Sequence, residues 1–145
     1  MQADLLLRPA RADEFEYVFA LHKEGLGRYI ARAWGWDEDF QRQGLRREFD
    51  AGQFEIAESR GGAAGMISAT SHPDHLYLHH IIVVPERRGR GIGTALMRIV
   101  LDRAAAARLP LRLSVFHANP ARSLYARLGF RRIRSDEHRQ WLEAP

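Results

Sequence analysis

The sequence predicts an α/β (α+β) protein, a mixed central sheet with helices on both faces. Two observations carry this: an antiparallel hairpin in the first half, and a strand, helix, strand, helix, strand order in the second that needs a parallel crossover. A third is size. A chain of 145 residues can bury roughly 70% of its unfolded surface around one core. No composition shift, repeat or low-complexity tract divides it, so residues 1–145 are expected to form a single domain.

The elements follow in order. Leu5 to Pro9 reads as a first strand. Ala12 to Arg32 carries Phe15, Val18, Phe19, Leu21, Leu26, Tyr29 and Ile30 at helical spacing, with Asp13 and Glu14 suiting the dipole of its first turn. Trp34-Gly35-Trp36 ends that helix, and Asp37 caps a second through Phe49. Gln53 to Glu58 and Ala64 to Ser71 form the hairpin around Arg60-Gly61-Gly62, and His72-Pro73-Asp74 is the next turn. His75 to Val84 is a long strand stopped by Pro85, followed by a helix over 91–108, a strand over 111–117 and a helix over 120–128. Phe130 to Arg134 and His138 to Leu142 close the chain.

Composition excludes several function classes. With 46% hydrophobic and 28% charged residues the chain is not mainly disordered. No apolar run approaches the roughly 20 residues that span a bilayer, and Met1 to Asp4 lack the basic and apolar regions of a signal peptide, so no membrane partner and a cytoplasmic location are expected. The absence of cysteine removes disulfides, thiolate metal sites and a covalent cysteine intermediate. No metal is expected, since no His-x-x-x-His pair sits on a helix. The 22 basic residues, all arginine except Lys23, exceed the 18 acidic ones and give a net charge of +4, which suits a polyanion such as a phosphorylated cofactor or nucleic acid.

The central signal is the run Val83-Val84-Pro85-Glu86-Arg87-Arg88-Gly89-Arg90-Gly91-Ile92-Gly93-Thr94, which leads from an apolar strand into an amphipathic helix. Alternating glycines admit positive φ and let a ligand approach the main chain, and the first helical amides make an anion site. The run is neither a Walker A loop nor a dinucleotide fingerprint, because the Gly-Lys-Ser/Thr and the third glycine offset are both missing. A second motif follows at Asn119-Pro120-Ala121-Arg122-Ser123-Leu124-Tyr125-Ala126-Arg127-Leu128-Gly129-Phe130.

Together the two motifs resemble the GNAT superfamily of acyl-CoA-dependent N-acetyltransferases: a strand ending in Val-x-Pro, then Arg/Gln-x-x-Gly-x-Gly/Ala, then a downstream Asn with Leu-Tyr-x-x-Leu-Gly-Phe. The match is specific over residues 76–133 and architectural before them. The resemblance implies a GNAT fold and acetyl-CoA as cofactor. It implies that the amides of Arg88, Gly89, Arg90, Gly91, Ile92, Gly93 and Thr94 hold the pyrophosphate. The main chain at Val83 would pair with the pantetheine arm, Asn119 would contact that arm, and Tyr125 would stand beside the thioester sulfur. Arg87, Arg88 and Arg90 could also neutralise phosphate.

Acetyl transfer to an amine needs a neutral nitrogen, so a base must take a proton, and the leaving thiolate needs one back. Tyr125 matches the family's acid position. For the base, strict strand alternation places Tyr77, His79, Ile81 and Val83 on one face and His80 with Ile82 and Val84 on the other. The resemblance places a strand-borne base on the face of Val83, which selects His79 over His80; a structural histidine is the competing reading. His117 is a secondary candidate, and water a third. Tyr29, Trp36, Asp37 and Glu38 gather where the first two helices join, the region that shapes the acceptor pocket in proteins resembling this one. Tyr29, Trp36 and Glu38 are carried as acceptor-binding candidates through cation-aromatic contact and charge, against the simpler reading of Trp34 and Trp36 as a hydrophobic plug.

The expected function is N-acetyl transfer from acetyl-CoA directly to a primary amine of a small molecule, peptide or protein in a ternary complex. Its rival is a GNAT-fold binding module for nucleic acid or a protein partner, with nucleic acid the weaker partner. Dimers are common in proteins resembling this one, which makes a homodimer a further expectation.

Overall fold

The computed structural model describes residues 5–145; Met1 to Asp4, and the leader reading that rests on them, lie outside the described residues. In chain order the elements are β1 (Leu6–Pro9), α1 (Phe15–Trp34), α2 (Glu38–Asp50), β2 (Phe54–Ser59), β3 (Gly62–Ser71), β4 (Leu76–Val83), α3 (Ile92–Ala106), β5 (Leu111–Phe116), α4 (Ala121–Arg127), β6 (Arg131–Ser135) and β7 (Arg139–Ala144). The first predicted helix begins as a 3₁₀ turn at Ala12–Glu14, where Glu14 bonds Arg8 and the Arg11 N–H. Asp37 caps α2 as expected, its carboxylate accepting from the Phe40 N–H at 3.0 Å.

The strands form one seven-stranded mixed sheet in the order β1-β2-β3-β4-β5-β7-β6, in which only β4 and β5 run parallel. Helices α1 and α2 cover one face, packing Val18, Phe19 and Phe49 onto Ile56, Met66 and Ile82. On the other face α3 and α4 set Met97, Val100 and Tyr125 against Ile67, Leu78, Leu111 and Leu113. Among the described residues no helix is long and apolar enough to cross a membrane. Strand β6, with Arg131, Arg132 and Arg134, is an exposed sheet edge, where charge discourages edge-to-edge pairing.

Two features of β4 position everything that follows. It pairs with β5 over Leu76, Tyr77 and Leu78 only, after which the strands part. At the parting its register against β3 slips, Leu78 facing Ala69 while His80 faces Ser68, so one residue bulges out. This corrects the alternation read from sequence. Leu76 and Leu78 pack towards α3, as do Ile81 and Val83, while His80 turns to α2 and lies against Phe54 and Glu48. His79, bonded to Thr70 beside Tyr77, emerges on that same helical side, so the two histidines share a face instead of opposing one another.

Gly65 lets β3 approach β4 at the far end of this segment. A Cβ there would lie 2.5 Å from the Ile82 carbonyl oxygen and 3.2 Å from the Val83 Cα, both backbone atoms that cannot swing aside. Gly65→Ala is therefore expected to cost roughly 1–3 kcal/mol, the range for overpacking a filled site, and to lower the melting temperature in a thermal unfolding scan. An unchanged melting temperature would show that the two strands can part there freely.

Candidate active site

The glycine turn builds an anion site at the start of α3. Gly89 and Gly91 adopt φ of 76° and 82°, a left-handed conformation that glycine reaches without strain. The first helical hydrogen bond runs from the Ala95 N–H to the Gly91 carbonyl, so the amides of Ile92, Gly93 and Thr94 have no partner inside the helix. No acidic residue stands in this first turn to compete for them. The arginine side chains divide otherwise than their spacing suggested. Arg87 donates to Ser59 Oγ. Arg88 donates through Nε to the Val83 carbonyl at 2.9 Å and through its other nitrogens to Glu24 of α1 at 2.6 and 3.0 Å. Arg88 thus fastens the loop to β4 and α1.

Beside this loop β4 presents an unpaired edge. The Val84 N–H donates to the Ala64 carbonyl, and by the alternation of an antiparallel ladder the main-chain groups of Ile81 and Val83 point away from β3, into the gap left by β5, where the Val83 carbonyl already accepts from Arg88 Nε. Such an edge is a template for an extended amide-bearing chain. The gap opens into a cleft of about 230 Å³ whose walls come from α1, β4, β5, α4 and the start of β7. The groups that fit a pantetheine arm with its pyrophosphate, helical amides without an intrahelical partner and a strand edge not paired to another strand, adjoin at Val83.

The cleft gathers Tyr125, His79, His80 and Asn119 from distant parts of the sequence. Tyr125 is buried against Phe130, and burial raises its phenol to about 12, so the hydroxyl keeps its proton at any working pH. Asn119 spends its carbonyl oxygen capping α4, accepting from the Ala121 N–H at 2.9 Å, which leaves its amide N–H groups for a ligand. His79 is half-buried with Nε2 2.8 Å from Thr70 Oγ1. Burial lowers its pKa below the usual histidine value, while the Glu48 carboxylate acts in the opposite sense. His80 lies deeper: Nε2 is 3.2 Å from Glu48 Oε2, and Nδ1 is sealed from solvent without a partner.

The remaining sequence candidates stand outside this cleft. His117 Nε2 is 2.8 Å from the Asp136 carbonyl oxygen. Trp36 packs on Phe19 and His22, and its indole N–H shares Glu38 Oε1 with Lys23, so this pair ties α1 to α2. Tyr29 stacks on Phe116 in an adjoining hollow. Sequence reasoning missed Glu48, His22, Gln41, Phe116 and Arg139, which come from four different elements. Only the apolar period of α2, which leaves Glu48 adjacent to the buried Phe49, carried a signal, and it was weak.

A match to the acetyltransferase (GNAT) family spans residues 15–130. The chain belongs to this family. Membership makes it an acetyl-CoA-dependent acetyltransferase; of the two motifs, Asn119 and Tyr125 line the cleft, while the glycine turn lies outside that lining, tied to β4 by the Arg88–Val83 hydrogen bond. No curated protein sequence matches the chain significantly. Among solved structures, the PaiA N-acetyltransferase from Thermoplasma acidophilum in complex with coenzyme A superposes with a TM-score of 0.75 at 18% identity, covering 96% of this chain and 97% of that one. Naa50 from Arabidopsis thaliana, in complex with the bisubstrate analogue CoA-Ac-MVNAL, gives 0.72 at 16% identity with 98% and 99% covered. An N-acetyltransferase from Staphylococcus aureus Mu50 gives 0.73 at 16% identity with 96% and 100% covered. These likenesses extend the GNAT fold over the first 14 residues' strand and the closing strands that the family match leaves out.

The acetyltransferase keeps one cleft histidine neutral deep into acid. Burial, and then the neighbouring His80, push His22 down to about 4. An unfolded histidine titrates near 6.5, so between these values the unfolded chain takes a proton that the folded one refuses. Stability is therefore complete above pH 6.5 and falls as pH drops towards 4, by roughly 3 kcal/mol from His22 at about 1.4 kcal/mol per pH unit, with a smaller part from His79. Urea unfolding at pH 7, 6 and 5 should show this slope and His22→Gln should flatten it; an equally steep slope in the variant would assign it elsewhere.

Proposed function

We propose that the chain is an N-acetyltransferase of one domain, residues 1–145, that transfers acetyl directly to a primary amine in a ternary complex. The observation that supports this best is the cleft itself: a titratable base on the β4 side and a permanently protonated phenol on the α4 side flank an unpaired strand edge that leads to an anion site. When bound, acetyl-CoA supplies the acetyl group as an activated thioester. The amides of residues 88–94 would hold its pyrophosphate, the Ile81 and Val83 edge its amide-bearing arm, and Asn119 would donate to that arm.

His79, with Nε2–H donating to Thr70, offers the Nδ1 lone pair to the ammonium proton of the acceptor. Its lowered pKa keeps it neutral at pH 7, and the Glu48 carboxylate stabilises the imidazolium that forms. The nitrogen so freed forms the N–C bond as the C–S bond breaks, and it sheds its second proton to solvent to become the neutral amide. Tyr125 gives its hydroxyl proton to the departing sulfur and recovers one from solvent. A phenol near 12 is a weak acid, yet the same dry surroundings raise the proton affinity of a thiolate, so the transfer is less uphill than aqueous values imply.

Calorimetry with acetyl-CoA and thiol release with a panel of amines test this reading directly. Tyr125→Phe keeps the ring and should lower kcat by roughly 10- to 10⁴-fold with cofactor affinity retained; full turnover would transfer the acid role to water.

The pH profile tests the base. Because the pKa of His79 is lowered, the acidic limb of kcat/KM should lie below pH 6.5 and vanish in His79→Gln. Glu48→Gln removes the charge that holds that pKa up, so it should move the limb to still lower pH. A limb lost in His80→Gln but kept in His79→Gln would give the role to His80.

A further inference from the structure

Arg139 opens β7 directly opposite Phe116 of β5, and its side chain enters the cleft wall from the α1 side. Its guanidinium carbon lies 4.9 Å from the Trp34 ring centre and 4.8 Å from that of Trp141, which holds the plane between two indoles. Stacking of this kind uses the faces of the group and leaves its edge donors unspent. Here they stay unspent: Nε is buried without a hydrogen-bond partner, and among the described residues no carboxylate lies within ion-pair distance of Arg139. Asp136, whose carboxylate feels the Arg139 charge, spends Oδ1 on the main-chain N–H groups of His138 and Arg139 and closes the β6–β7 turn.

The rest of the lining has an opposite lack. Among the described residues no aspartate or glutamate lines the cleft, and Arg139 is its only lysine or arginine. A diamine or polyamine entering here would find a cation at the wall and no carboxylate for its second ammonium. The position also fits. The strands part after Leu113, and Arg139 faces Phe116, three residues further along β5, about 10 Å at roughly 3.3 Å per residue. A compact molecule that offers its amine at the parting presents its other end to the guanidinium.

We propose that the acceptor is a small amine bearing a carboxylate, of the amino-acid class, and that Arg139 determines this specificity by taking the carboxylate in a bidentate, charge-assisted pair. The proposal rests on the acetyl-transfer reading above and narrows it.

The test measures thiol release from acetyl-CoA with a set of free α-amino acids and with their primary amides, in the wild type, Arg139→Gln and Arg139→Lys. For the preferred side chain, the wild-type ratio of kcat/KM for acid over amide should fall roughly 10- to 100-fold in Arg139→Gln, the worth of a hydrogen bond to a charged group, with the loss carried by KM. Comparing that ratio between proteins cancels the different basicity of the two amines. Arg139→Lys keeps the charge without the fork or the stacked plane and should fall between; it carries the test if Arg139→Gln does not fold. An unchanged ratio, or turnover of non-carboxylate amines with no amino acid acetylated, would overturn the proposal while leaving acetyl transfer intact. No acetyl-CoA binding and no thiol release with any amine would instead overturn the acetyl-transfer reading, and the proposal with it.

Discussion

The parting of β4 from β5 is the constraint on which the rest of this molecule depends. Two parallel strands that pair for three residues and then diverge would ordinarily be pulled together by their unsatisfied main-chain groups, which are costly to leave unpaired in a dry interior. Here each strand is held on its outer edge, β4 by β3 and β5 by β7, over nearly its whole length. The bulge at His79 and His80 adds a bend and extra twist where the parallel ladder stops. Tyr29 and Trp34 of α1, stacked on Phe116, wedge the far end. The inner edge of β4 thus faces a cleft instead of a neighbour, and under the proposed function one strand edge would serve cofactor placement and acceptor access together.

Burial then assigns the protonation states inside that cleft. One physical cause, the cost of keeping a charge away from water, has opposite results for acids and bases. It keeps the Tyr125 phenol protonated and it keeps His22 and His79 neutral. The acidic residues nearby are drawn off the cleft walls. Glu24 pairs with Arg88, Glu38 with Lys23 and Trp36, and Glu48 stands behind His80. What remains is a small cavity with neutral proton-transfer groups and one stacked cation, quite different from the uniformly basic surface that the arginine count suggests.

Much of this was legible in the chain because it is local. The Asp37 cap and the glycines that start α3 each act within a few residues, so spacing alone reveals them. The element order followed from periodicity, and the antiparallel hairpin with its crossover followed from element order. The histidine faces were not legible, since alternation holds only while register holds. The register slip between Ser68 and Ala69 depends on β3, and no pattern within residues 75–84 announces it. Trp36 and Glu38 look like an acceptor wall from their composition, but Trp36 has Phe19 and His22 to pack on and Glu38 has Lys23 to neutralise, so they close the α1–α2 joint.

The sequence by itself determined the sheet, its helices and the anion turn, because hydrophobic period, glycine conformation and helix capping are properties of neighbouring residues; acetyl-CoA as cofactor came from the resemblance of its two motifs to the GNAT family. Only the tertiary structure decided which side of β4 its histidines occupy, that Arg88 bonds Glu24 and Val83, that Glu48 stands behind His80, and that Arg139 meets the cleft. Those contacts join residues dozens of positions apart. Their energies depend on distance and burial, and neither exists until the strands have taken their register.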